Sequence, residues 1–484
     1  MAQENVYAAP SPEPAPDGIW SRSNRSLTIG LILTVVGVAF EALAVATTLP
    51  ATIRDLGGLA LYGWAFSAFM LTNLIGITIA GAEADRQGPA RPFVVGVALF
   101  ALGLTIAGLA PDMAVVILGR AVQGFGAGVI SSVAYTAIGR GYAESAKPVM
   151  LAILASAWVV PGLVGPALAG VVADHVGWRW VFLGLVPLPL IAAGLALPSM
   201  RRLTRTSEAP RDWGHVLAAV RLALGAGLVL TGLSIPSIPV AAALVVVGAV
   251  LGWPALHRLL PAGTLRAAPG LPAAVATHGL LNMAFFGVDA FVPLALIEVR
   301  GQSATVAGLA LTAATLTWTT GAWVQAHLAP RQSRRRLVIA GLLLIVVGIA
   351  GAAVVLAPTV PVALALVAWG VAGLGMGIAF STISLAVLES APPGHEGTAS
   401  ASMQLTNVLG VALGTGVGGV IIGYASAQNG TSHTGIMSQD LLMIGVAGLA
   451  IVAAMRLPGR REPAPEPAPG RTAAASEAGS AART

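Results

Sequence analysis

Three ionisable side chains stand inside long apolar stretches of the chain: Glu41, Arg120 and Asp289. At about 1.5 Å of helical rise per residue, each lies about 10 to 12 Å from the nearer end of its stretch. Burial favours the neutral form of a carboxyl group, so a buried acid can load and release a proton. We therefore predict Glu41 as the principal proton carrier, Arg120 as the group that tunes it, and Asp289 as a second carrier or a contact for a cation. The alternative is an ion pair that only locks two helices together.

Polar and aromatic side chains accompany these charges. His278, Asn282 and Asp289 share one face of a helix, because they are spaced by four and seven residues. Phe285 lies beside that face. A polar group within a membrane helix either lines a cavity or joins helices by hydrogen bonds, and the sequence leaves both readings open. The predicted cavity residues are Gln123, Trp158, His278, Asn282, Phe285, Gln404 and Asn407.

Composition indicates which elements hold these groups. Charged residues are 10% of the 484 and hydrophobic residues are 56%, whereas a soluble domain carries about 25% charged residues. A soluble chain and a disordered chain are therefore excluded, and the absence of cysteine excludes a disulfide framework. A bilayer-spanning helix needs about 20 residues. Fourteen apolar segments are predicted to span, at residues 27–49, 61–82, 92–110, 113–139, 146–173, 178–198, 214–233, 238–256, 271–297, 303–326, 336–357, 361–389, 397–424 and 438–456.

The basic residues orient these segments. Most of the 26 Lys and Arg residues fall in alternate loops on one side, whereas Arg54, Arg179 and Arg300 fall on the other. Because cytoplasmic loops carry the excess of basic residues, both termini are predicted to be cytoplasmic. The excess of Arg (25) over Lys (one) is consistent with a GC-rich bacterial genome, so a bacterial inner membrane is predicted. This topology accounts for the net charge of +6, so no nucleic acid partner is expected.

An internal repeat predicts the architecture. Residues 119–173 and 368–422 align without a gap, and three glycines spaced by two recur at the same places. Arg120 has Trp369 as its counterpart. Parallel repeats are typical of transporters, although 59 glycines make some matches a coincidence. We predict an all-α integral membrane protein of two six-helix bundles related by pseudo-two-fold symmetry, with an extra two-helix hairpin between them. The predicted parts are a disordered cytoplasmic tail (1–26), the first bundle (27–198), a linker (199–270) with the hairpin (214–256), the second bundle (271–456) and a second tail (457–484).

Four motifs follow one another at the predicted helix ends. The loop after helix 2 reads GAEADRQGPAR and resembles the loop motif G-x-x-x-D-R-x-G-R-R of the major facilitator superfamily. Helix 4 carries RAVQGFG, similar to R-x-x-Q-G-x-G, and WRWVF from Trp178 resembles the start of helix 6 in that superfamily. Helix 5 carries GLVGPALAG, which resembles the antiporter motif G-x-x-x-G-P-x-x-G-G. The matched positions are Gly81, Asp85, Arg86, Gly88 and Arg91 in the loop, and Gly162, Gly165, Pro166 and Gly170 in helix 5.

The chain departs from these patterns in places. Pro89 and Ala90 replace the basic pair of the loop motif and leave Arg91 alone. Ala169 stands where the first of two final glycines is usual, and Glu41 stands where drug exporters commonly have aspartate. The equivalent loop of the second half is a decayed copy, so gating is expected to depend on the loop of the first half.

With fourteen spans, the chain is most similar to the fourteen-helix drug:H+ antiporter family, over roughly residues 25–460. The resemblance implies proton-coupled efflux of amphipathic or lipophilic small molecules, such as drugs or antibiotics, by alternating access. It implies a gating role for the loop residues, a monomer in the lipid bilayer, and the proton gradient as energy source, without a cofactor, a metal or enzymatic activity. No phosphate-binding loop of the type G-x-x-x-x-G-K-[ST] is present, which argues against nucleotide hydrolysis.

Other functions stay open at this point. An exporter of a specific endogenous metabolite or lipid would have the same motifs. A nutrient importer is disfavoured by the helix-5 motif and by the few polar cavity residues. A non-transporting membrane sensor or scaffold is disfavoured by the retained membrane acids and the loop motif.

Overall fold

A computed structural model describes residues 19–22, 24–143, 146–203, 213–235, 237–329, 331–390, 396–427 and 432–457. The predicted tails 1–26 and 457–484 lie outside the described residues, except for 19–22, 24–26 and 457. The described part is helical. Its helices are α1 (Arg25–Leu56), α2 (Tyr62–Gln87), α3 (Ala90–Gly108), α4 (Met113–Gly141), α5 (Lys147–Ser156), α6 (Val159–His175), α7 (Arg179–Leu183), α8 (Pro187–Met200), α9 (Trp213–Ser234), α10 (Ile238–Leu259), α11 (Leu271–Asp289), α12 (Val292–Leu294), α13 (Ala304–Leu328), α14 (Arg334–Val355), α15 (Ala363–Glu389), α16 (Glu396–Ala427) and α17 (Ser432–Ala454). Two 3₁₀ turns lie at Leu59–Leu61 and Thr264–Arg266, and a π-helical turn lies at Ala295–Val299.

Local chemistry explains where several helices begin. The carboxylate of Asp112 accepts a hydrogen bond from the backbone N–H of Val115, 2.9 Å away, at the start of α4. Ser303 and Ser333 cap α13 and α14 in the same way. Each side chain satisfies one of the free N–H groups that a helix start leaves unpaired. Threonines inside the helices, such as Thr48, bond back to the carbonyl four residues earlier, so that their hydroxyls are satisfied in an apolar environment.

In the described residues, twelve helices are long and apolar enough to cross a membrane. They include α9 and α10, the two helices of the predicted hairpin. Two of the fourteen predicted spans are not among the twelve. The segment 146–173 is divided into α5 and α6 by a break after Ser156, and 303–326 corresponds to α13, whose threonines make it less apolar. The chain is thus a multi-pass membrane protein, and the count of fourteen stays a prediction.

Glycines pack the inner helices in the same way in both halves of the chain. A Cβ atom at Gly124 would overlap the carbonyl oxygen of Phe69, so α4 lies directly against the backbone of α2. A Cβ atom at Gly373 would overlap the carbonyl oxygen of Ala314, which puts α15 against α13. The repeated glycines therefore serve close helix approach. We call α1–α8 the first repeat and α11–α17 the second repeat.

The two repeats contact each other through α6 with α13 and α2 with α16. At the end that is predicted to face outside, Asp174 accepts hydrogen bonds from the backbone N–H groups of Ala304 (3.2 Å) and Thr305 (3.0 Å). Arg54 and Glu298 form an ion pair at 2.6 Å across the same junction. These contacts hold the repeats together at the predicted outer end.

Candidate functional site

Glu41 and Arg120 form a buried ion pair between α1 and α4. Glu41 is fully buried and Arg120 is 2% exposed. The guanidinium of Arg120 also donates to the carbonyl of Ala65 (2.9 Å) and to Oε1 of Gln123 (2.8 Å). Its Cζ atom lies 4.2 Å from the ring centroid of Phe69. Arg120 is therefore held on four sides, and a buried charge of this kind is tolerated only because it is paired and hydrogen-bonded.

This ion pair keeps unused polar atoms. Within the described residues, Oε2 of Glu41 and Nε2 of Gln123 have no hydrogen-bond partner. Buried polar atoms in proteins are nearly always satisfied. One acceptor and one donor beside Arg120 are therefore available to a proton or to a bound small molecule.

Asp289 is held by a different donor. The indole Nε1 of Trp369 on α15 donates to Oδ1 of Asp289, 2.8 Å away. Trp369 is the counterpart of Arg120 in the sequence repeat. Each repeat therefore pairs a membrane acid with the same repeat position, on α4 in the first repeat and on α15 in the second. We call Glu41–Arg120 and Asp289–Trp369 the two acid–donor pairs. In the first the donor is charged, and in the second it is neutral.

The helix that carries Asp289 is irregular immediately after it. α11 ends at Asp289, and a π-helical turn, Ala295–Val299, follows the short α12. The hydroxyl of Tyr62, from α2 of the first repeat, donates to the carbonyl of Ala290 at 2.7 Å. The Tyr62 ring stacks on Phe291 with centroids 5.1 Å apart. π-helical turns are frequent at functional sites, and here the first repeat binds the irregular segment next to Asp289.

Aromatic rings surround the Asp289–Trp369 pair. Phe285 stacks on Trp369 with ring centroids 5.1 Å apart and meets Trp318 edge-on at 5.7 Å. Trp318 contacts Phe286 at 6.1 Å and Phe380 at 5.6 Å. We call these five residues the aromatic cluster. Phe285 was predicted from the sequence, whereas Phe380 was missed, although it lies about three helical turns after Trp369 on the same helix.

His278 and Asn282 form a polar group next to this cluster. The Nδ2 atom of Asn282 donates to the carbonyl of His278 (2.7 Å), and the His278 ring lies 5.1 Å from that of Phe380. Both residues are fully buried. Within the described chain, Nε2 of His278 and Oδ1 of Asn282 have no hydrogen-bond partner. His278 and Asn282 thus lie on the same helix as Asp289, and His278 adjoins the aromatic cluster, whereas their role as cavity lining stays a prediction.

The other predicted cavity residues lie elsewhere. Gln404 and Asn407 are half-buried on α16. Trp158 precedes α6 and is 45% exposed. It takes part in none of the ring contacts of the aromatic cluster, so the structure does not bring it together with the second acid–donor pair.

Most positions of the predicted gating loop are helical, because α2 continues to Gln87 and α3 already begins at Ala90. Gly81, Asp85 and Arg86 lie in the last turns of α2, Arg91 lies in the first turn of α3, and Gly88 lies between the two helices. Gly88 has φ +82°, a backbone conformation that favours glycine. Arg86 lies 3.8 Å from Glu83, and Arg91 donates to Gln87. The side-chain surroundings of Gly81 and Asp85 lie outside the described residues. An open cavity of about 700 Å³ adjoins the loop and is lined by residues that include Gly88, Arg91, Leu197 and Arg201.

The predicted antiporter motif forms the α6–α13 contact. A Cβ atom at Gly162 would overlap Thr315, and one at Gly170 would lie 2.5 Å from the carbonyl oxygen of Ala304. The carbonyl of Pro166 abuts Gly308 in the same way. Gly165 faces the ring of Phe40 at ordinary contact distance instead. Three of the four motif positions thus set how closely the two repeats approach.

The family model described as Major Facilitator Superfamily matches residues 29–415, and in a second match residues 275–483. The chain belongs to the Major Facilitator Superfamily. It is accordingly a membrane transporter rather than an enzyme.

Relatives in the superfamily match along most of the chain. A protein of Mycobacterium tuberculosis H37Rv, named as a probable multidrug-efflux transporter, is 26% identical over 411 residues, which cover 80% of this chain and 85% of that protein. Multidrug resistance protein 3 of Bacillus subtilis is 24% identical over 413 residues, covering 82% of this chain and 80% of that protein. The prediction of the superfamily from four short motifs is confirmed.

Solved structures of the superfamily share the fold. A bacterial homolog of the human lysosomal transporter Spinster, in an inward-facing and unoccupied conformation, has a TM-score of 0.67 at 15% identity and covers 92% of this chain and 99% of that chain. An auto-inhibited peptide transporter of the POT family has a TM-score of 0.63 at 18% identity and covers 91% and 99%.

One membrane acid was missed by the sequence analysis. Asp440 is 2% exposed and lies on α17. The predicted span began at residue 438, which put Asp440 at its outer end, but α17 begins at Ser432. The helix start explains the difference, because His433 and Ser438 lower the hydropathy of the first turns without ending the helix.

Proposed function

We propose that this chain is a proton-coupled exporter of amphipathic or lipophilic small molecules that works by alternating access. One observation carries the proposal: two acid–donor pairs occupy equivalent places in the two repeats, and the second adjoins an aromatic cluster. Relatives that align along four fifths of the chain are named as multidrug transporters. Membrane-embedded acids are costly, and their presence supports a role in moving protons.

The two pairs support different roles for the two acids. The sequence favoured Glu41 as the principal proton carrier. Its partner Arg120 is a cation, and a neighbouring cation favours the charged carboxylate. Asp289 has a neutral donor, and in the described part of the chain no cation pairs with it. We therefore assign Asp289 as the principal proton carrier. Glu41 binds substrate or a proton in the state in which either of them has displaced Arg120.

Alternating access gives the order of steps. With the outer end open, Asp289 takes up a proton from outside. The contacts of Tyr62 with Ala290 and Phe291 close that end beside the protonated acid. With the inner end open, the proton leaves and the site accepts substrate from the cytoplasm or the inner leaflet. Exchange results if substrate and proton favour the same site in different conformations, since a ligand shifts an equilibrium only by its differential affinity.

The aromatic cluster supports the substrate class. Phe286, Trp318 and Phe380 are partly exposed, whereas Phe285 and Trp369 behind them are buried. Ring faces attract apolar planes and cations, and Asp289 adds a negative group at the edge. We expect planar lipophilic cations to bind here with contributions from Gln123, His278 and Asn282.

The architecture that goes with this function is the fourteen-helix form. Support comes from the hairpin, because α9 packs on α2 and α16, where Ala218 and Leu222 join Leu74, Leu405 and Val408 in one cluster. Both hairpin helices are long and apolar enough to cross a membrane. We propose the domain limits given above, a monomer in the inner membrane with cytoplasmic termini, and gating by the loop at Gly88.

Proton-driven transport in proteoliposomes tests the proposal. Ethidium, a planar cation, is loaded into the proteoliposomes, and its transport driven by an imposed pH gradient is followed by fluorescence. We expect Asp289→Asn to lower the rate of gradient-driven transport at least tenfold, and Asp289→Glu to keep part of the wild-type rate. Trp369→Phe keeps the ring stack but removes the donor, so it is expected to lower transport less than Asp289→Asn does. Unchanged coupling in Asp289→Asn and Glu41→Gln together would overturn the proposal.

A further inference from the structure

Asp440 lies on a helix that contributes nothing to the acid–donor pairs or to the aromatic cluster. α17 packs on α11, α14 and α16. The Nε2 atom of Gln439 donates to the carbonyl of Gly287 at 3.0 Å, and a Cβ atom at Gly287 would lie 2.7 Å from Sδ of Met443. These contacts bracket Asp440 along α17. They place its carboxyl group level with the end of α11, where Asp289 lies.

In the part of the chain that the structure describes, no ion pair involves the carboxyl group of Asp440. Within the described residues, its Oδ1 has no hydrogen bond, and neither does Oε1 of the adjacent Gln439. An unpaired carboxylate so deeply buried is far costlier than the neutral acid. The burial therefore calls for a proton on this group in the conformation described here.

Several of the charged and titratable groups described on the helices around α17 have partners other than Asp440. Asp289 is bonded by Trp369, and Glu298 by Arg54. His278 lies against Asn282 and Phe380, Arg300 donates to carbonyls between residues 355 and 360, and Arg334 pairs with Glu389. The other groups are Arg335 and Arg336 in the first turn of α14, Tyr424 near the end of α16, and His433 in the first turn of α17.

We propose that Asp440 is a third proton-binding carboxyl group of this protein, separate from the substrate cavity. Its protonation lets the outer half of α17 pack without an uncompensated charge against Gly287, two residues before Asp289 on α11. Loss of the proton would place a charge in this contact and favour a movement of α17 relative to α11. Any contribution to coupling rests on the proposed transport function, whereas proton binding does not.

Chemical labelling of the wild-type protein tests proton binding directly. Dicyclohexylcarbodiimide is lipophilic and reacts with a carboxyl group that carries its proton, forming a stable adduct. The full-length protein in lipid vesicles is treated over a range of pH, and adducts are located by peptide mass spectrometry. We expect an adduct on Asp440 whose yield falls severalfold from mildly acidic to alkaline pH. Glu41, equally buried but paired with Arg120, serves as the internal control and is expected to label several times less.

Two variants complete the test. Asp440→Asn is expected to remove this adduct alone, and Asp440→Glu to keep a pH-dependent adduct at the same position. Absence of an adduct on Asp440 at every pH, while Asp289 is labelled, would overturn the inference. A pH-dependent adduct on Asp440 in a protein without gradient-driven ethidium transport would support the inference and overturn the proposed function.

Discussion

Single residues of the site differ in how firmly their charges are held. Arg120 donates to one oxygen each of Glu41, Gln123 and a backbone carbonyl, whereas Asp289 accepts a hydrogen bond from one indole N–H. A buried ion pair contributes little by itself, but removal of one partner leaves an uncompensated charge. The first acid–donor pair should therefore affect folding as well as transport.

A double-mutant cycle tests this expectation. Arg120→Gln should destabilise the protein by about 3 to 5 kcal/mol, because it leaves Glu41 charged and buried. Glu41→Gln in the same chain should recover a large part of that loss. The midpoint of thermal unfolding in detergent, measured for both single variants and the double variant, gives the coupling. Additive effects of the two substitutions would show that the pair does not exist in the folded protein.

Pairs of helices set how the two repeats close on each other. The predicted antiporter motif, which lies in α6, brings this helix against α13 through small residues. Asp174 of the first repeat then caps the start of α13. The motif was predicted from resemblance alone, as a sign of export. The contacts add a physical reason, since a side chain at these glycines would hold the predicted outer end apart.

Gly170→Ala should weaken outer closure, because its Cβ atom would lie 2.5 Å from the carbonyl oxygen of Ala304. Gly194→Ala on α8 is the matched control, as its Cβ atom meets nothing within 4 Å. The chain has no cysteine, so spin labels can be placed at Leu109→Cys and Thr359→Cys, one exposed outer position in each repeat. By electron spin resonance, we expect the distance between the labels to increase in Gly170→Ala. In Gly194→Ala we expect the distance to stay unchanged. Equal distances in all three backgrounds would contradict the role of the glycine.

For the whole molecule, the arrangement of spans decides which side each site faces. Twelve described helices meet the length and hydropathy of a span, and the interrupted α5–α6 and the threonine-rich α13 make up the predicted fourteen. The α9–α10 hairpin is the part that distinguishes the fourteen-helix form from a twelve-helix one. If both hairpin helices cross the membrane, the turn between them lies outside.

Labelling of single cysteines with a membrane-impermeant maleimide tests this topology. Ser237→Cys, in the α9–α10 turn, should react in intact cells, and Ala262→Cys, after α10, should react only in inside-out vesicles. Both positions are exposed, and helices that cross the bilayer put them on opposite faces. Reaction of both positions from the same side would rule out the spanning hairpin and the fourteen-helix form.

The amino-acid sequence by itself determined that the chain crosses a membrane and that it belongs to a transporter superfamily, and it predicted Glu41, Arg120 and Asp289 at membrane depth. These are local properties, because hydropathy, motif spacing and depth are read along one segment at a time. Only the tertiary structure decided which donor each acid meets, that the indole of Trp369 bonds Asp289, and that Oδ1 of Asp440 is buried without a hydrogen-bond partner in the described part of the chain. Such contacts join helices that are far apart in the sequence, and they depend on where each helix begins and how closely its glycines let it approach its neighbour.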